Sequence, residues 1–240
     1  MAAHVDPHGH PPPHGYGAAG VHVHEPHPAH QHHFETMEQQ AEAATLGMWL
    51  FLATEVLFFG GLFTTYLIYR MWYPAAWSEG SLELDIVLGS VNTVVLITSS
   101  LTMALAVRAA QTGHQRPLIR NLILTIILGL VFLVIKFFEY KHKFDVGHVP
   151  GPNFHFEGAH AGQVELFITL YFAMTGLHAL HMVIGFGIMS VILWMAMKQR
   201  FSPAWYTPVE LAGLYWHFVD IVWIFLFPLL YLVDRAGHYA

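Results

Sequence analysis

The sequence predicts an all-α integral membrane protein that folds as a bundle of five transmembrane helices. Hydrophobic residues make up 55% of the chain and charged residues only 11%, whereas a soluble domain carries about 25% charged residues. Long apolar segments recur along the chain, and roughly 20 apolar residues cross a bilayer as a helix. Proline and glycine fall between these segments, where they interrupt helices.

Composition divides the chain into three parts. The three parts are a tail rich in His, Pro and Gly (1–43), a region of apolar segments (44–233) and a short C-terminal tail (234–240). The predicted membrane segments are 44–71, 84–108, 118–140, 163–197 and 207–233. Pro74 and Gly80 predict a loop after the first segment. The fourth segment exceeds a perpendicular crossing, so we expect it to tilt or to project from the membrane.

The N-terminal tail is dominated by imidazole groups. Residues 1–33 hold ten of the nineteen histidines, together with Pro, Gly and small residues that cannot bury a core. Histidine is the commonest metal ligand, but no Cys or Asp is interleaved at the spacing of a closed metal site. We interpret the tail as a flexible segment that buffers, adsorbs weakly or collects protons. Specific metal binding and a solvated leader without a role are the alternatives.

The sequence contains no cysteine and no stretch that resembles a secretory signal. A chain without cysteine has no disulfide, no thiolate-bound iron–sulfur cluster, no Cys-attached haem and no thiolate-bridged copper centre. Residues 1–30 contain no Lys, no Arg and no long apolar core, so nothing in them resembles a cleavable signal peptide.

Glu55 lies near the middle of the first apolar segment, where a carboxyl group is most costly. An acid at that depth is neutral, paired inside the bundle or in contact with water. No basic residue follows it in this segment until Arg70. Glu55 is therefore the leading candidate for a functional residue, with a purely structural role as the alternative.

Two further pairs of polar residues are spaced three apart and so share a helix face. They are His178 with His181 and His217 with Asp220. We expect Glu55 and His178 to lie at similar depth, where a carboxyl–imidazole network would keep both out of lipid. The alternatives are interior histidines that need no ligand, and a clamp in which Asp220 fixes the tautomer of His217.

A third pair, Lys136 and Glu139, falls near the outer end of the third segment. We expect Lys136 to extend to the lipid headgroups and Glu139 to lie near the interface, with little functional weight. The second segment carries two short polar runs, Asn92-Thr93 and Ser99-Ser100. Small and hydroxyl residues in membrane helices favour close helix packing, so we interpret these runs as structural.

Several stretches together resemble subunit III of the haem–copper oxidases. They are Gly47-Met48-Trp49-Leu50-Phe51, Glu55-Val56-Leu57-Phe58-Phe59, Asn92-Thr93 with Ser99-Ser100, Phe138-Glu139-Tyr140, Thr175-Gly176-Leu177-His178-Ala179-Leu180-His181 and Tyr215-Trp216-His217-Phe218-Val219-Asp220-Ile221-Val222-Trp223. The resemblance covers about residues 44–233, and its most specific part is the string that begins at Trp216.

The resemblance implies an accessory subunit of a cytochrome c oxidase that reduces oxygen to water and pumps protons. It implies no catalytic, cofactor-binding or metal-binding residue in this chain. Haem and copper are expected in the partner subunits I and II, with direct packing on subunit I. Bound phospholipid, sustained turnover and proton supply to subunit I are also implied, as is contact with other respiratory complexes. No nucleic-acid partner is expected.

The resemblance also bears on individual residues and on topology. Glu55 matches the family's buried carboxyl that reacts with carbodiimides, which attack protonated carboxyls. Longer members have seven spans with a lipid-holding cleft between the first two and the last five. This chain matches the last five, so the resemblance implies such a cleft only where a neighbour supplies the other two spans. The family topology places the N-terminus inside and the C-terminus outside a bacterial-type cytoplasmic membrane, and the loop charges agree moderately.

Other functions compete with this one. Within the family, the alternatives are subunit III of a quinol oxidase and a homologue associated with nitric oxide reductase. From another class, the histidine-rich tail suggests a divalent-metal transporter. A transporter site should gather three or four ligands near one depth. His217 and Asp220 are expected nearer the inner leaflet than Glu55 and His178, so these residues do not converge.

Overall fold

The computed structural model describes residues 31, 33–151, 154, 156, 158 and 160–233. Most of the histidine-rich tail and the C-terminal tail 234–240 lie outside the described residues, as do the predictions made for them. Backbone contacts divide the chain into Met1–Gln40 and Ala41–Ala240.

The regular structure of the described residues is helical, apart from a single bridge between Ser202 and Trp205. The helices are α1 (Met37–Trp72), α2 (Pro74–Leu82), α3 (Ile86–Gln111), α4 (Gln115–Val146), α5 (Ala161–Met197) and α6 (Thr207–Tyr231). All except α2 are long and apolar enough to cross a membrane. The all-α class and the five membrane helices predicted from the sequence are thus confirmed.

In the first unit, α1 starts with a reciprocal cap. The amide of Gln39 donates to the Thr36 hydroxyl at 3.1 Å, and the Gln39 side chain accepts from the amide of Glu35 at 2.8 Å. These bonds satisfy amide groups that a helix start leaves open. The helix therefore begins at Met37, seven residues before the predicted apolar segment.

The predicted loop after α1 contains a short helix, α2, and this prediction was wrong in its detail. Pro74 occupies the first turn of α2, where its missing amide costs nothing. Gly80 lies inside this helix, and a larger residue would not fit there, because its Cβ would lie 2.5 Å from the Phe167 ring. The buried Trp77 ring packs edge-on against Phe167 at 5.6 Å. The short helix is therefore packed onto α5.

In the second unit, α6 occupies the interior and α1 the margin. Half of the most apolar window of α6 is buried, against 11% for α1. The closest backbone approaches join α3 to α4, α3 to α6 and α5 to α6. Side chains instead hold α1: Phe59 packs edge-on against Phe218, and the Tyr66 hydroxyl donates to the Leu229 carbonyl. One face of α1 is thus exposed along much of its length.

Trp216 on α6 fills the centre of the bundle and is fully buried. Its ring lies so close to Gly129 of α4 that a Cβ there would sit 2.9 Å from the indole. The indole nitrogen donates to the Ser99 hydroxyl at 3.1 Å, and Ser99 donates to the Thr125 carbonyl. Thr93 accepts the same kind of bond from Trp223. Ser99 and Thr93 serve helix packing, as we interpreted their runs.

Candidate functional site

Glu55 forms an ion-pair contact across the bundle with a histidine of α5. Its Oε2 lies 3.1 Å from Nε2 of His181, and both side chains are mostly shielded. The sequence predicts a contact between a carboxyl and an imidazole, and the structure contains one. The predicted partner at the depth of Glu55 was His178, whereas the observed partner is His181. Phe59 covers the pair, with its ring 5.2 Å from the imidazole. The contact is therefore placed among apolar rings.

The second nitrogen of His181 determines what this contact can be. Nδ1 lies 2.9 Å from the carbonyl of Leu177, one helical turn earlier. A carbonyl only accepts, so Nδ1 carries a proton. In a neutral imidazole Nε2 is then a bare acceptor, and the bond to Glu55 requires a protonated carboxyl. In a charged imidazole, Nε2 donates to a carboxylate instead. In both states the pair holds one proton between Oε2 and Nε2.

His178 faces a different partner, although it shares a helix face with His181. Its Nε2 donates to the carbonyl of Val219 on α6 at 3.1 Å. Nδ1 is buried without a hydrogen-bond partner among the described residues. The ring packs against Phe132 and Trp223 at 5.5 and 5.3 Å. His178 therefore ties α5 to α6 and stays outside the Glu55 pair.

Lys136 and Glu139 form the most extensively bonded polar cluster, and the sequence prediction for them was wrong. Lys136 does not reach the headgroups: it is 4% exposed and Glu139 is 5% exposed. The Lys136 ammonium donates to Glu139 Oε2 at 3.0 Å. It also donates to the hydroxyls of Tyr231 and Tyr171, at 2.8 and 3.1 Å. Its three protons are thus all used.

The two tyrosines complete this cluster. Tyr171 and Tyr231 both donate to the second oxygen of Glu139, at 2.9 and 2.6 Å. Each hydroxyl accepts from Lys136 and donates to Glu139, so the four side chains form a closed network across α4, α5 and α6. We call it the Lys136 cluster. The face of the Trp223 ring lies 5.1 Å from the ammonium and adds a cation–π contact.

His217 and Asp220 do not bond to each other, contrary to the predicted clamp. Nδ1 of His217 lies 2.8 Å from the Ser100 hydroxyl of α3. Asp220 is 2% exposed, and neither of its oxygens has a hydrogen bond of ordinary geometry among the described residues. The same Ser100 hydroxyl also lies close to the carboxyl group of Asp220. These three side chains line a cavity of about 310 Å³ between α3 and α6, which we call the Asp220 pocket.

A family model for cytochrome c oxidase subunit III matches residues 28–234. The chain belongs to that family.

Individual relatives agree with the family match. The cytochrome c oxidase subunit 3 of Synechocystis sp. is 35% identical over 85% of this chain and 80% of its own length. The haem–copper oxidase subunit I+III of Aeropyrum pernix is 31% identical over 78% of this chain, which corresponds to 22% of that relative. The cytochrome bo(3) ubiquinol oxidase subunit 3 of Pseudomonas putida is 29% identical over 80% of this chain and 86% of its own length.

The imidazoles within the spans of this subunit III chain are engaged by protein atoms. Both nitrogens of His181 are hydrogen-bonded. Nε2 of His178 donates to a backbone carbonyl, and Nδ1 of His217 forms a hydrogen bond with a hydroxyl group. Across the described residues, no three His, Cys, Asp or Glu side chains group as a metal site would require. The described spans therefore hold no cluster of three or more such side chains, which is the kind of ligand set that a divalent-metal transport site would gather.

An apolar groove runs between α1 and α6 on the exposed side of this subunit III chain. Its volume is about 440 Å³. The lining comes from two helices and is apolar except for His217: Trp49, Leu52, Val56, Phe59, Gly60, Phe63, Leu214, His217, Phe218, Ile221, Val222 and Phe225. The imidazole of His217 borders both this groove and the Asp220 pocket, and so separates them.

Two residues of these sites, Tyr171 and Tyr231, are absent from the sequence predictions, although both bond Glu139. The position of Tyr171 could have indicated its role, because it lies seven residues before His178 and so on the same face of α5. The role of Tyr231 depends on how α6 is rotated against α4, which the sequence does not show. Ser100 was named only as part of a packing run, and its bond to His217 was not predicted.

Proposed function

We propose that this chain is the accessory, non-redox subunit III of a proton-pumping cytochrome c oxidase in aerobic respiration. The carrying observation is the family match over residues 28–234, which includes all five membrane helices. The polar groups within these helices bond mainly to one another or to backbone carbonyls. In this proposal the chain contributes to the oxidase by packing and by proton handling, while the electron-transfer centres are elsewhere.

Haem and copper belong to other subunits in this proposal. Support comes from the engaged imidazoles described above and from a chain without cysteine. Subunit I is the direct partner, with subunit II and further respiratory complexes as more distant ones. A relative whose name combines subunits I and III in one protein supports a short distance between the two.

The Glu55–His181 pair is the proposed proton-handling group. It holds one proton between two heavy atoms 3.1 Å apart, and the proton can reside on either. A protonated Glu55 would react with carbodiimides, as the family's buried carboxyl does. In this proposal His178 and Glu139 take structural roles, through their bonds between helices.

Phospholipid is the proposed occupant of the groove between α1 and α6. The groove wall is apolar along both helices, as an acyl chain requires, and no charged side chain borders it. This assignment follows the lipid binding that the family resemblance implies.

The proposed location is a bacterial-type cytoplasmic membrane, with the N-terminus inside and the C-terminus outside. The part of the chain that the structure describes holds five helices able to cross a membrane, and an odd number would put the two ends on opposite sides. Three arginines in the α3–α4 connection and its flanks (Arg108, Arg116 and Arg120), on the same side as the N-terminus, support the orientation through the preference of basic loops for the inner side. The histidine-rich segment 1–43 would then lie on the proton-uptake side, before the helical domain 44–233.

Gentle solubilisation followed by purification on this polypeptide tests the proposal. Haem absorbance and subunit I should travel with the chain at a constant ratio through two different columns. The proposal fails if the purified chain carries no haem protein, or if it holds haem or copper after separation from every other polypeptide.

A quinol oxidase is the second candidate, because one relative is named as subunit 3 of a ubiquinol oxidase. The two candidates share this subunit and differ in the electron donor. Oxygen consumption by the purified complex with reduced cytochrome c, and separately with a quinol, distinguishes them. We expect turnover with cytochrome c, and turnover with quinol alone would transfer the chain to the second candidate.

A further inference from the structure

The Asp220 pocket contains a buried carboxyl group without a hydrogen-bond donor of ordinary geometry. Asp220 is 2% exposed, and both of its oxygens are unpartnered among the described residues. A polar group taken out of water without a compensating bond costs about 1–3 kcal/mol in proteins. By contrast, the other buried acid of the bundle, Glu139, accepts three hydrogen bonds. The pocket thus lacks a partner that the fold supplies elsewhere.

Ser100 cannot supply the missing bonds by itself. Its hydroxyl has one proton and is already 2.8 Å from Nδ1 of His217. If that nitrogen is protonated, the hydroxyl proton is free to turn toward Asp220, and one carboxyl oxygen still has no donor. If the nitrogen is bare, the proton is used there and both oxygens have none. In either tautomer, and whether or not the carboxyl is protonated, at least one of its oxygens has no donor among the described residues.

The pocket opens on the outer face of the bundle. Its rim consists of exposed apolar side chains of α3 and α6, namely Ile97, Leu101, Ile221 and Ile224. Ala104 lies one turn beyond Ser100 and leaves room on the same face. A small residue next to a hydroxyl is the pattern by which membrane helices approach closely and bond.

Depth excludes a lipid headgroup as the donor. Ser100 lies eleven residues before the end of α3, and Asp220 eleven before the end of α6. At 1.5 Å per residue this distance is about 16 Å, roughly half of a 30 Å hydrocarbon layer. Acyl chains reach this depth but carry no donor. A side chain on another membrane helix has both the depth and the chemistry.

We propose that the Asp220 pocket, formed by Ser100, His217 and Asp220 between α3 and α6, receives a hydrogen-bond-donating side chain from a transmembrane helix of subunit I. This inference rests on the proposed function for the identity of the partner. It adds the face that α3 and α6 present to that partner and the residue that the partner bonds. The α1–α6 groove, on the other side of His217, remains for lipid.

Site-specific photo-crosslinking in the intact oxidase tests the proposal. The chain has no cysteine, so Ala104→Cys provides a single thiol in the chain at the pocket for a benzophenone maleimide. Leu105→Cys is the matched control, because it is the next residue on α3 and faces about 100° away. We expect an adduct with subunit I from Ala104→Cys that exceeds the control at least fivefold.

Two other outcomes have separate meanings. Equal or absent adducts from both thiols, in a complex that still contains subunit I, would overturn the docking face and leave the proposed function standing. Failure of the unmodified chain to purify with any haem protein would remove the proposed function and this inference with it.

A second measurement distinguishes a role of Asp220 in docking from a role in the stability of the chain itself. Asp220→Leu should speed the dissociation of this subunit from the oxidase in detergent about tenfold, as the loss of one interhelical hydrogen bond predicts. It should leave thermal unfolding of the full chain unchanged or raise its midpoint. Thr98→Val is the control, since the Thr98 hydroxyl is exposed and already bonded to the Val94 carbonyl. Unfolding of the Asp220 variant, or dissociation at the wild-type rate, would overturn the proposal.

Discussion

The Lys136 cluster and the Asp220 pocket are two buried polar sites in one bundle, and they differ in how their hydrogen bonds are satisfied. In the Lys136 cluster, four side chains from three helices satisfy one another. In the Asp220 pocket, one hydroxyl faces an imidazole and a carboxyl, and the carboxyl has no bond of ordinary geometry. Within the described residues, the first site is complete and the second is not.

The difference separates a network that stabilises the fold from a site that we propose for a partner. The completed network fixes the rotation of its helices, because each bond is lost if one helix turns. In the proposed docking, subunit I would supply the donor that the Asp220 pocket lacks among the described residues. The Glu55–His181 pair is a third kind of site: both nitrogens of His181 are bonded, and the contact to Glu55 is the one to which we assign proton handling.

The largest expected effect comes from removing one charge of the Lys136 cluster. Glu139→Gln leaves a buried ammonium without its counter-charge, which should cost about 3–5 kcal/mol in unfolding free energy. Lys136→Met leaves the carboxylate alone and should cost a similar amount. The double variant Lys136→Met/Glu139→Leu should cost less than either single change. Detergent-based unfolding of the full chain measures all three.

Lys141→Met is the control for that series, since Lys141 lies on the same helix and is exposed. It should change the unfolding free energy by less than about 0.5 kcal/mol. Single changes at Lys136 and Glu139 that cost no more than this control would show that the cluster is not a determinant of the fold.

Removing one hydroxyl from the same cluster should have a smaller effect. Tyr231→Phe removes the shorter bond to Glu139 and an acceptor for Lys136, at an expected cost of about 1–3 kcal/mol. Tyr171→Phe removes longer bonds to the same two groups and should cost less. Thermal midpoints of the two variants give the order. The reverse order would contradict the geometry of the cluster.

Two substitutions of Glu55 distinguish the loss of its hydrogen bond to His181 from the loss of its ionisable proton. Glu55→Leu leaves Nε2 of His181 without a partner and should cost about 1–2 kcal/mol. Glu55→Gln can donate its amide to the same nitrogen and should cost less than about 1 kcal/mol. Assembly and initial electron transfer should remain in the Gln variant, while carbodiimide labelling of this subunit disappears. Continued labelling of the variant subunit would place the reactive carboxyl elsewhere in the chain.

The smallest effect on the isolated chain is expected at Asp220. Asp220→Asn keeps the shape of the side chain and removes no ordinary hydrogen bond within the described residues. The free energy of unfolding should change by less than about 0.5 kcal/mol, or rise. A loss of more than about 2 kcal/mol in the full chain would show that Asp220 has an internal partner, and the contrast between the two sites would fail.

The sequence predicted the five membrane helices, because hydrophobic length alone determines them. It also indicated that Glu55 needs a partner. It could not choose between His178 and His181, which share a face and differ by only about 4.5 Å along the axis. Tilt and rotation of α5 decide that choice, and neither is visible in the spacing of residues.

Two other errors have identifiable physical causes. The position of Lys136 near the end of the apolar segment predicts a side chain that extends to the membrane surface. The side chain instead lies in the bundle, because Glu139, Tyr171 and Tyr231 bond its ammonium group there. The spacing of residues along α4 does not show which face of the helix packs against α5 and α6. The helix α2 was missed because Pro74 and Gly80 predict a loop, whereas packing against Phe167 stabilises a helix there.

Removal and return of this subunit tests the central claim most directly. The purified oxidase is stripped of this chain, and its haem content, initial turnover and lifetime during turnover are measured before and after the chain is added back. We predict that all haem and at least half of the initial turnover stay with the stripped complex. Its lifetime should shorten severalfold and recover on addition. Haem leaving with this chain, or complete loss of initial turnover, would contradict an accessory, non-redox role.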